Sequence, residues 1–120
     1  MAESNKPRGR QQTYFEESME MHQVLYFLAV CEQLNFRRAA RRCGVSQASL
    51  STAISALERN LGGALFLRKP SIALTGLGHA IQPYLEEIVR NADGAREAAR
   101  ALVHGSGRPI TGQEVALIKP

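Results

Sequence analysis

Four arginines form the most distinctive chemical pattern in the chain. Arg37, Arg38, Arg41 and Arg42 surround an Ala39-Ala40 pair, so on a helix two arginine rows stack at i,i+4 on neighbouring faces. Between Phe36 and Lys69 seven basic residues, with Arg59, Arg68 and Lys69 completing the set, stand against the single acid Glu58. The chain's net charge of +4 and pI near 9.5 therefore understate a local excess of the kind a nucleic-acid footprint has. Catalysis has no comparable support. His22, His79 and His104 are scattered over helix surfaces and Asp93 is the only aspartate. No nucleophile, carboxylate pair or glycine-rich phosphate loop has the neighbours it needs. An enzyme, a metal centre and a cofactor are not expected. Cys31 and Cys43 lack metal-ligand spacing and fall at apolar helical positions, as reduced core residues of an intracellular protein would.

The arginines need an element to hold them, and Asn35–Leu61 reads as two helices broken at Cys43-Gly44-Val45. Asn35 caps the first, and Gly44 supplies the backbone freedom for a sharp turn. Ser46 caps the second, where Leu50, Ile54, Leu57 and Leu61 recur at four, three and four and make a buried stripe. The opposite face carries Gln47, Ala48, Ser51, Thr52 and Ser55, small or hydrogen-bonding groups that allow close approach to another surface. Short helix, glycine turn and polar-faced helix suggest a helix-turn-helix. The competing reading is two core helices of an ordinary α-domain with a solvated arginine face.

Around this pair, residues 1–18 are polar and read as a disordered arm, with Lys6, Arg8 and Arg10 as a basic tip. From Met19 to Leu34 apolar residues at three and four give a scaffold helix, with His22 exposed at its start. After Gly62-Gly63, Ala64–Leu67 and Ile72–Leu74 read as short strands about a Lys69-Pro70-Ser71 turn. Arg68 and Lys69 then sit on a basic hairpin that either touches phosphate or the minor groove, or simply covers the core. Thr75 caps a helix from Gly76 to about Val103, which would span roughly 40 Å. Its near-heptad apolar stripe asks for a partner helix, with Asn91 on the seam and Pro83 kinking the start. Residues 104–120 read as a flexible tail. No stretch has the length of a membrane span or the apolar segment of a signal peptide, so a cytoplasmic, nucleoid-associated protein is expected.

Val24, Phe27 and Val30, then NFRRAA, SQASLS, Ile54, Leu57-Glu58, Leu61-Gly62, Leu65-Phe66, Arg68, Leu74-Thr75 and Gly78 together resemble the DNA-binding half of the LysR-type bacterial transcriptional regulators. The likeness covers about Met21 to Val103. It implies a mainly α fold: a winged helix-turn-helix over residues 19–75, with a three-helix core and a short β-hairpin wing, then a long dimerisation helix over 76–103. It further implies double-stranded DNA and a second copy as partners, and an internal ion pair between Glu58 and Arg68 that would make Arg68 structural. The expected base contacts are Gln47, Ala48, Ser51, Thr52 and Ser55. The expected phosphate contacts are Arg37, Arg38, Arg41, Arg42, Ser46, Ser49 and Lys69, with Arg68, Lys69, Pro70 and Ser71 forming the wing. The expected dimer seam is Leu77, Ile81, Tyr84, Leu85, Ile88, Ala92, Ala95, Ala99 and Leu102.

Three departures from the family pattern bear on mechanism. No Arg or Lys lies between Ser46 and Leu57, so bidentate base readout, worth about 1–3 kcal/mol per base, falls to Gln47 alone. The wing is slightly short and weakly basic, and Arg37 stands where a small hydroxyl residue is common. The family's ligand-sensing domain is not expected within these 120 residues, and with it no small-molecule switch. Two functions compete: a dimeric, sequence-specific DNA-binding regulator, and an interaction module that pairs with full-length regulators of this type and blocks them.

Overall fold

The computed structural model describes residues 18–105. In order these form α1 (Met21–Gln33), α2 (Phe36–Cys43), α3 (Gln47–Leu61), β1 (Phe66–Leu67), β2 (Ala73–Leu74) and α4 (Gly76–Arg100), which ends in a π-helical turn at Ala101–Gly105. The expectations for residues 1–17, including Lys6, Arg8 and Arg10, and for 106–120 lie outside the described residues.

The starts of α1, α2 and α3 are each fixed by a side chain that accepts an otherwise unpaired backbone N–H at the helix end. For α1, Gln23 Oε1 reaches back to the N–H of the N-cap Glu20 at 3.0 Å; for α2 Asn35 Oδ1 takes the Arg38 N–H at 2.8 Å, and for α3 Ser46 Oγ takes the Ser49 N–H at 3.0 Å. Gly44 and Gly62 then close α2 and α3 in the left-handed region, at φ 72° and 91°. Leu34 does the same for α1 at φ 50°, an uncommon conformation for a residue with a Cβ.

α1, α2 and α3 pack on one another around Val24, Phe27, Val30, Ala39, Ala40, Leu50, Ile54 and Leu57. Leu65 and Phe66 close this core from the wing, and the Phe66 ring meets Phe27 at 5.4 Å and Phe36 at 5.8 Å between centroids. The two strands are antiparallel, with Phe66 opposite Leu74 and Leu67 opposite Ala73. They are two residues each, shorter than the Ala64–Leu67 and Ile72–Leu74 expected. Ala64 and Leu65 are drawn instead into hydrogen bonds with Thr75, described below.

Two compact units are present, the first running through Glu86 and the second beginning at Glu87. The first outruns the boundary expected at Thr75 because Gly78 and Leu85 are buried in it. Leu85 is only 3% exposed in a single chain, so it belongs to its own chain's core and not to a seam between chains. Pro83 lies inside α4, which continues through it. Beyond Glu86 the helix is mostly exposed and carries three i,i+3 ion pairs, Glu87–Arg90, Asp93–Arg96 and Glu97–Arg100. Such surface pairs stabilise a helix by only about 0.2–0.5 kcal/mol each.

Both cysteines are free, but each is half-buried, where a core position was expected. Cys31 borders a small cleft with Leu28, Glu32, Gln82 and Glu86. Burial and then the Glu86 charge push its thiol up from 9.0 to about 12, against a backbone hydrogen bond that lowers it. Burial also raises Cys43, opposed by Arg42. Because the folded value of Cys31 is raised, its contribution to stability is present below pH 9 and is lost as pH climbs through about 12.

Two measurements test these assignments. A Cβ on Gly78 would lie 2.4 Å from the Leu65 carbonyl oxygen and 2.7 Å from Leu74 Cδ2, whereas one on Gly94 would meet nothing within 4 Å. Gly78→Ala should therefore destabilise by about 1–3 kcal/mol, while Gly94→Ala should stabilise by up to about 1 kcal/mol. Urea unfolding followed by circular dichroism reads both, and equal effects would refute the close contact. Iodoacetamide at pH 8 should alkylate Cys31 roughly a hundred- to a thousandfold more slowly in the folded chain than in denaturant. Equal rates would contradict the raised thiol.

Candidate nucleic-acid interface

Ser46 sets the start of α3 and then does more. Its hydroxyl accepts the Ser49 N–H and donates to Ser49 Oγ, both at 3.0 Å. The Ser46 proton is thus committed inside the helix, which leaves Ser49 with the hydroxyl proton free for an outside acceptor. Behind this cap Leu50, Ala53, Ile54 and Leu57 are buried. Gln47, Ala48, Ser49, Thr52 and Ser55 are exposed and Ser51 is half-exposed, so the residues singled out as base contacts share the open side of α3. No Lys or Arg joins them before Arg59.

The cations lie on the neighbouring helix. Arg37, Arg38, Arg41 and Arg42 are all exposed on α2, and among the described residues Arg42 alone of the four forms an ion pair, with Glu32 at 3.9 Å and both side chains about 60% exposed. A pair so open and so long contributes little, and Arg42 keeps its charge for another partner.

The wing is braced from α3. Glu58, 16% exposed, accepts the Leu65 N–H at 2.8 Å through Oε2, and the same oxygen lies 3.6 Å from Arg68 Nη2. The Arg68 guanidinium also rests over the Phe36 ring, 4.5 Å from its centroid. Arg68 therefore links α2, α3 and β1 in the free chain. The ion pair expected from the resemblance is present, but the bond from Glu58 to the Leu65 backbone and the Phe36 contact were not foreseen. Lys69, Pro70 and Ser71 are exposed at the turn, which carries a cis Lys69–Pro70 bond.

Thr75 anchors the far side of the wing. Its hydroxyl donates to the Ala64 carbonyl at 2.7 Å and accepts the Gly78 N–H at 3.0 Å, while its own N–H reaches the Leu65 carbonyl at 3.0 Å. One side chain thus caps α4 and holds the strand entering the wing.

Clefts flank α3 on both sides. On one, about 380 Å³, Gln47 and Ser51 face Arg37 and Arg68. On the other, about 550 Å³, Ala48, Ser49 and Thr52 face His22, Gln23 and Tyr26 of α1. Nothing in the sequence around His22 and Tyr26 points to this cleft. They lie more than twenty positions from α3 in the chain, and only the packing of α1 on α3 brings them there. Among the described residues no cluster of His, Cys, Asp and Glu suited to a metal ion occurs, and no helix is long and apolar enough to cross a membrane.

Removing the Glu58 carboxylate separates its two bonds. Arg68 is 44% exposed and 3.6 Å away, so the ion pair is worth at most about 1 kcal/mol, whereas an orphaned N–H at the buried Leu65 costs about 1–3 kcal/mol. Glu58→Ala should lose most of that stability and Glu58→Gln, which keeps an acceptor, little of it. Equal losses in urea unfolding would assign the stability to the charge instead.

Comparison with known proteins agrees with this geometry. Residues 21–79 match the family model described as bacterial regulatory helix-turn-helix protein, lysR family. The chain is 42% identical over 88 residues to the transcriptional regulator IlvR of Caulobacter vibrioides, covering 72% of this chain and 30% of IlvR. It is 44% identical over 84 residues to ShiR of Corynebacterium glutamicum, covering 69% and 28%. It thus spans under a third of these curated relatives' length. Among solved structures, the CbnR DNA-binding domain in complex with DNA superposes with a TM-score of 0.65 at 38% identity, covering 69% of this chain and 97% of that one. The BenM DNA-binding domain on catB site 1 DNA gives 0.65 at 31%, covering 68% and 93%. With the same helix-turn-helix, wing and following helix, the chain belongs to the LysR family of DNA-binding transcriptional regulators.

Proposed function

We propose that the chain binds operator DNA as a dimer, with α3 in the major groove and the arginines of α2 on the flanking phosphates. The observation that supports this most directly is the separation of roles between two packed helices: an uncharged face on α3 beside four exposed guanidinium groups on α2. Small side chains let α3 approach base edges closely, and long cations beside it reach the backbone. Gln47 makes the amide contact to a base, Ser51, Thr52 and Ser55 add hydroxyl contacts, and Ala48 meets a thymine methyl. Arg37, Arg38, Arg41, Arg42, Ser49 and Lys69 bind phosphates, with Ser46 holding Ser49 in place. Arg68 is a brace that positions the wing.

Dimerisation through α4 completes the reading. Tyr84 is 73% exposed and Ile88 37%, although both are large and apolar. With Leu77, Ile81, Ala92, Ala95, Ala99 and Leu102 they form a stripe for a partner helix; Leu85 is excluded from it by its burial. A two-fold dimer would read two half-sites, which compensates for a weakly specifying α3. Such a protein would work in the cytoplasm on the nucleoid. The same exposed Tyr84 and Ile88 also fit the interaction-module reading, in which α4 pairs with a full-length regulator of this type.

Selection of bound duplexes from a random pool tests the reading, and a two-fold repeat is the expected product. On the selected site, affinity should fall about 10³-fold or more between 50 and 200 mM salt. Arg37→Ala and Arg41→Ala should weaken all sequences alike and lower the salt slope by about one each, whereas Gln47→Ala should flatten preference at one position by about 1–3 kcal/mol. Affinity that is indifferent to salt would sink the account. Failure to shift any duplex, together with a mixed species on a sizing column with a full-length regulator, would favour the interaction module.

A further inference from the structure

The two clefts beside α3 are chemically unequal. A recognition helix with its side chains is about 10–12 Å across and nearly fills a major groove about 12 Å wide, so the two DNA strands must pass close along its two sides. On the side of Gln47 and Ser51 the cleft offers Arg37 to a backbone, and the braced Arg68 adds a second positive charge to its lining. On the side of Ala48, Ser49 and Thr52 no Lys, Arg, Asp or Glu lines the cleft among the described residues. The ionisable groups there are His22 and Tyr26 of α1, and their rings meet edge to face with centroids 5.5 Å apart.

We infer that His22, positioned by Tyr26, binds the backbone of the DNA strand that runs along the α1 side of α3, and that the protonation of its imidazole sets the strength of that contact. The inference rests on the DNA-binding reading above and names a residue from outside the helix-turn-helix. His22 is exposed, so it reaches a phosphate without rearrangement of the core. Tyr26 is half-buried, and its ring holds the imidazole at the mouth of the cleft. Imidazole is the side chain that ordinarily changes charge between pH 5 and 8. As imidazolium it presents two donors and a full positive charge to a phosphate; as neutral imidazole it offers one donor and no charge.

Among the described residues no carboxylate lines the cleft beside His22. The α3 wall of the cleft is uncharged, Val45 from the turn before α3 is apolar, and Tyr26 is the other titratable group of the α1 wall. Glu20, at the N-cap of α1, is the nearest acid in the described sequence, and its backbone N–H bonds to the Gln23 side chain. A phosphate on the passing strand would thus meet His22 with no carboxylate of the cleft lining between them.

The test uses the full chain and a selected duplex, with fluorescence anisotropy from pH 5.5 to 8.0 at constant salt. The unaltered chain should bind more tightly at pH 5.5 than at pH 8.0, and His22→Gln should remove about three- to tenfold of that difference, with a salt slope at pH 5.5 lower by about one. His22→Lys, charged throughout the range, should restore tight binding at pH 8.0. Tyr26→Leu, which removes the ring contact but not the imidazole, should reduce the pH dependence without abolishing binding. Circular dichroism of each variant shows that the fold is kept. A His22→Gln curve parallel to that of the unaltered chain, or no gain from His22→Lys at pH 8.0, overturns this inference and leaves the DNA-binding reading standing. No binding by the unaltered chain at any pH overturns both.

Discussion

The end of α3, the wing and the start of α4 are registered against one short piece of backbone, Ala64-Leu65. The Leu65 N–H is held by the Glu58 carboxylate of α3 and its carbonyl by the Thr75 N–H, while the Ala64 carbonyl takes the Thr75 hydroxyl. Thr75 in turn accepts the Gly78 N–H, and Gly78 has no room for a Cβ because the Leu65 carbonyl lies against it. The Leu65 side chain is fully buried, so the part-buried bonds from Leu65 to Glu58 and from Gly78 to Thr75 sit at the edge of the apolar core, whereas the Thr75–Ala64 bond faces solvent. A shift at this point would move the end of α3, the wing and the start of α4 together. Their mutual positions therefore depend on a handful of directional bonds more than on the two-residue strands, which on their own have too few ladder bonds to be stable.

The second constraint is electrostatic. Packing places Phe36, Ala39 and Ala40 on the inner side of α2 with Cys43 half-buried, which leaves the four arginine positions to solvent, where they carry no packing duty. α3 needs a close-approach surface and keeps its outer side small. Affinity and selectivity consequently fall on different helices. Changes on α2 would tune how tightly any duplex is held, and changes on α3 which duplex, with little interference between the two. The Arg68 guanidinium stands apart from both sets, since the Phe36 ring and the Glu58 carboxylate hold it against its own fold.

How much of this was legible in the sequence follows the range of each interaction. Asn35, Ser46 and Thr75 were readable as caps because each bonds to a backbone group three positions away. Gly44 and Gly62 were readable as helix ends for the same local reason. Glu58 to Leu65 spans seven positions across a chain reversal, and no periodicity announces it. Leu85 falls on the apolar stripe of α4 and yet is buried within its own chain, because α4 is apolar on more than one side. Periodicity reports that a residue is buried without saying whether its own chain or another covers it. Cys31 and Cys43 looked like core residues by type, yet lie where clefts and the helix end leave them half-open.

The α1 side of α3 shows the same limit at its furthest reach. His22 sits in a first turn whose sequence reads only as polar and exposed, and it gains a neighbour of consequence because Val24, Phe27 and Val30, a few residues on, anchor α1 in the core beneath α3. Those buried residues are what the pattern displayed, and the cleft beside Ala48 and Thr52 is a by-product of how they pack. A scaffold helix thus acquires a face on the interface with no motif of its own. Where a recognition helix lacks long cationic side chains, the ring or amide nearest to it on a supporting helix becomes the remaining means of adjusting the contact.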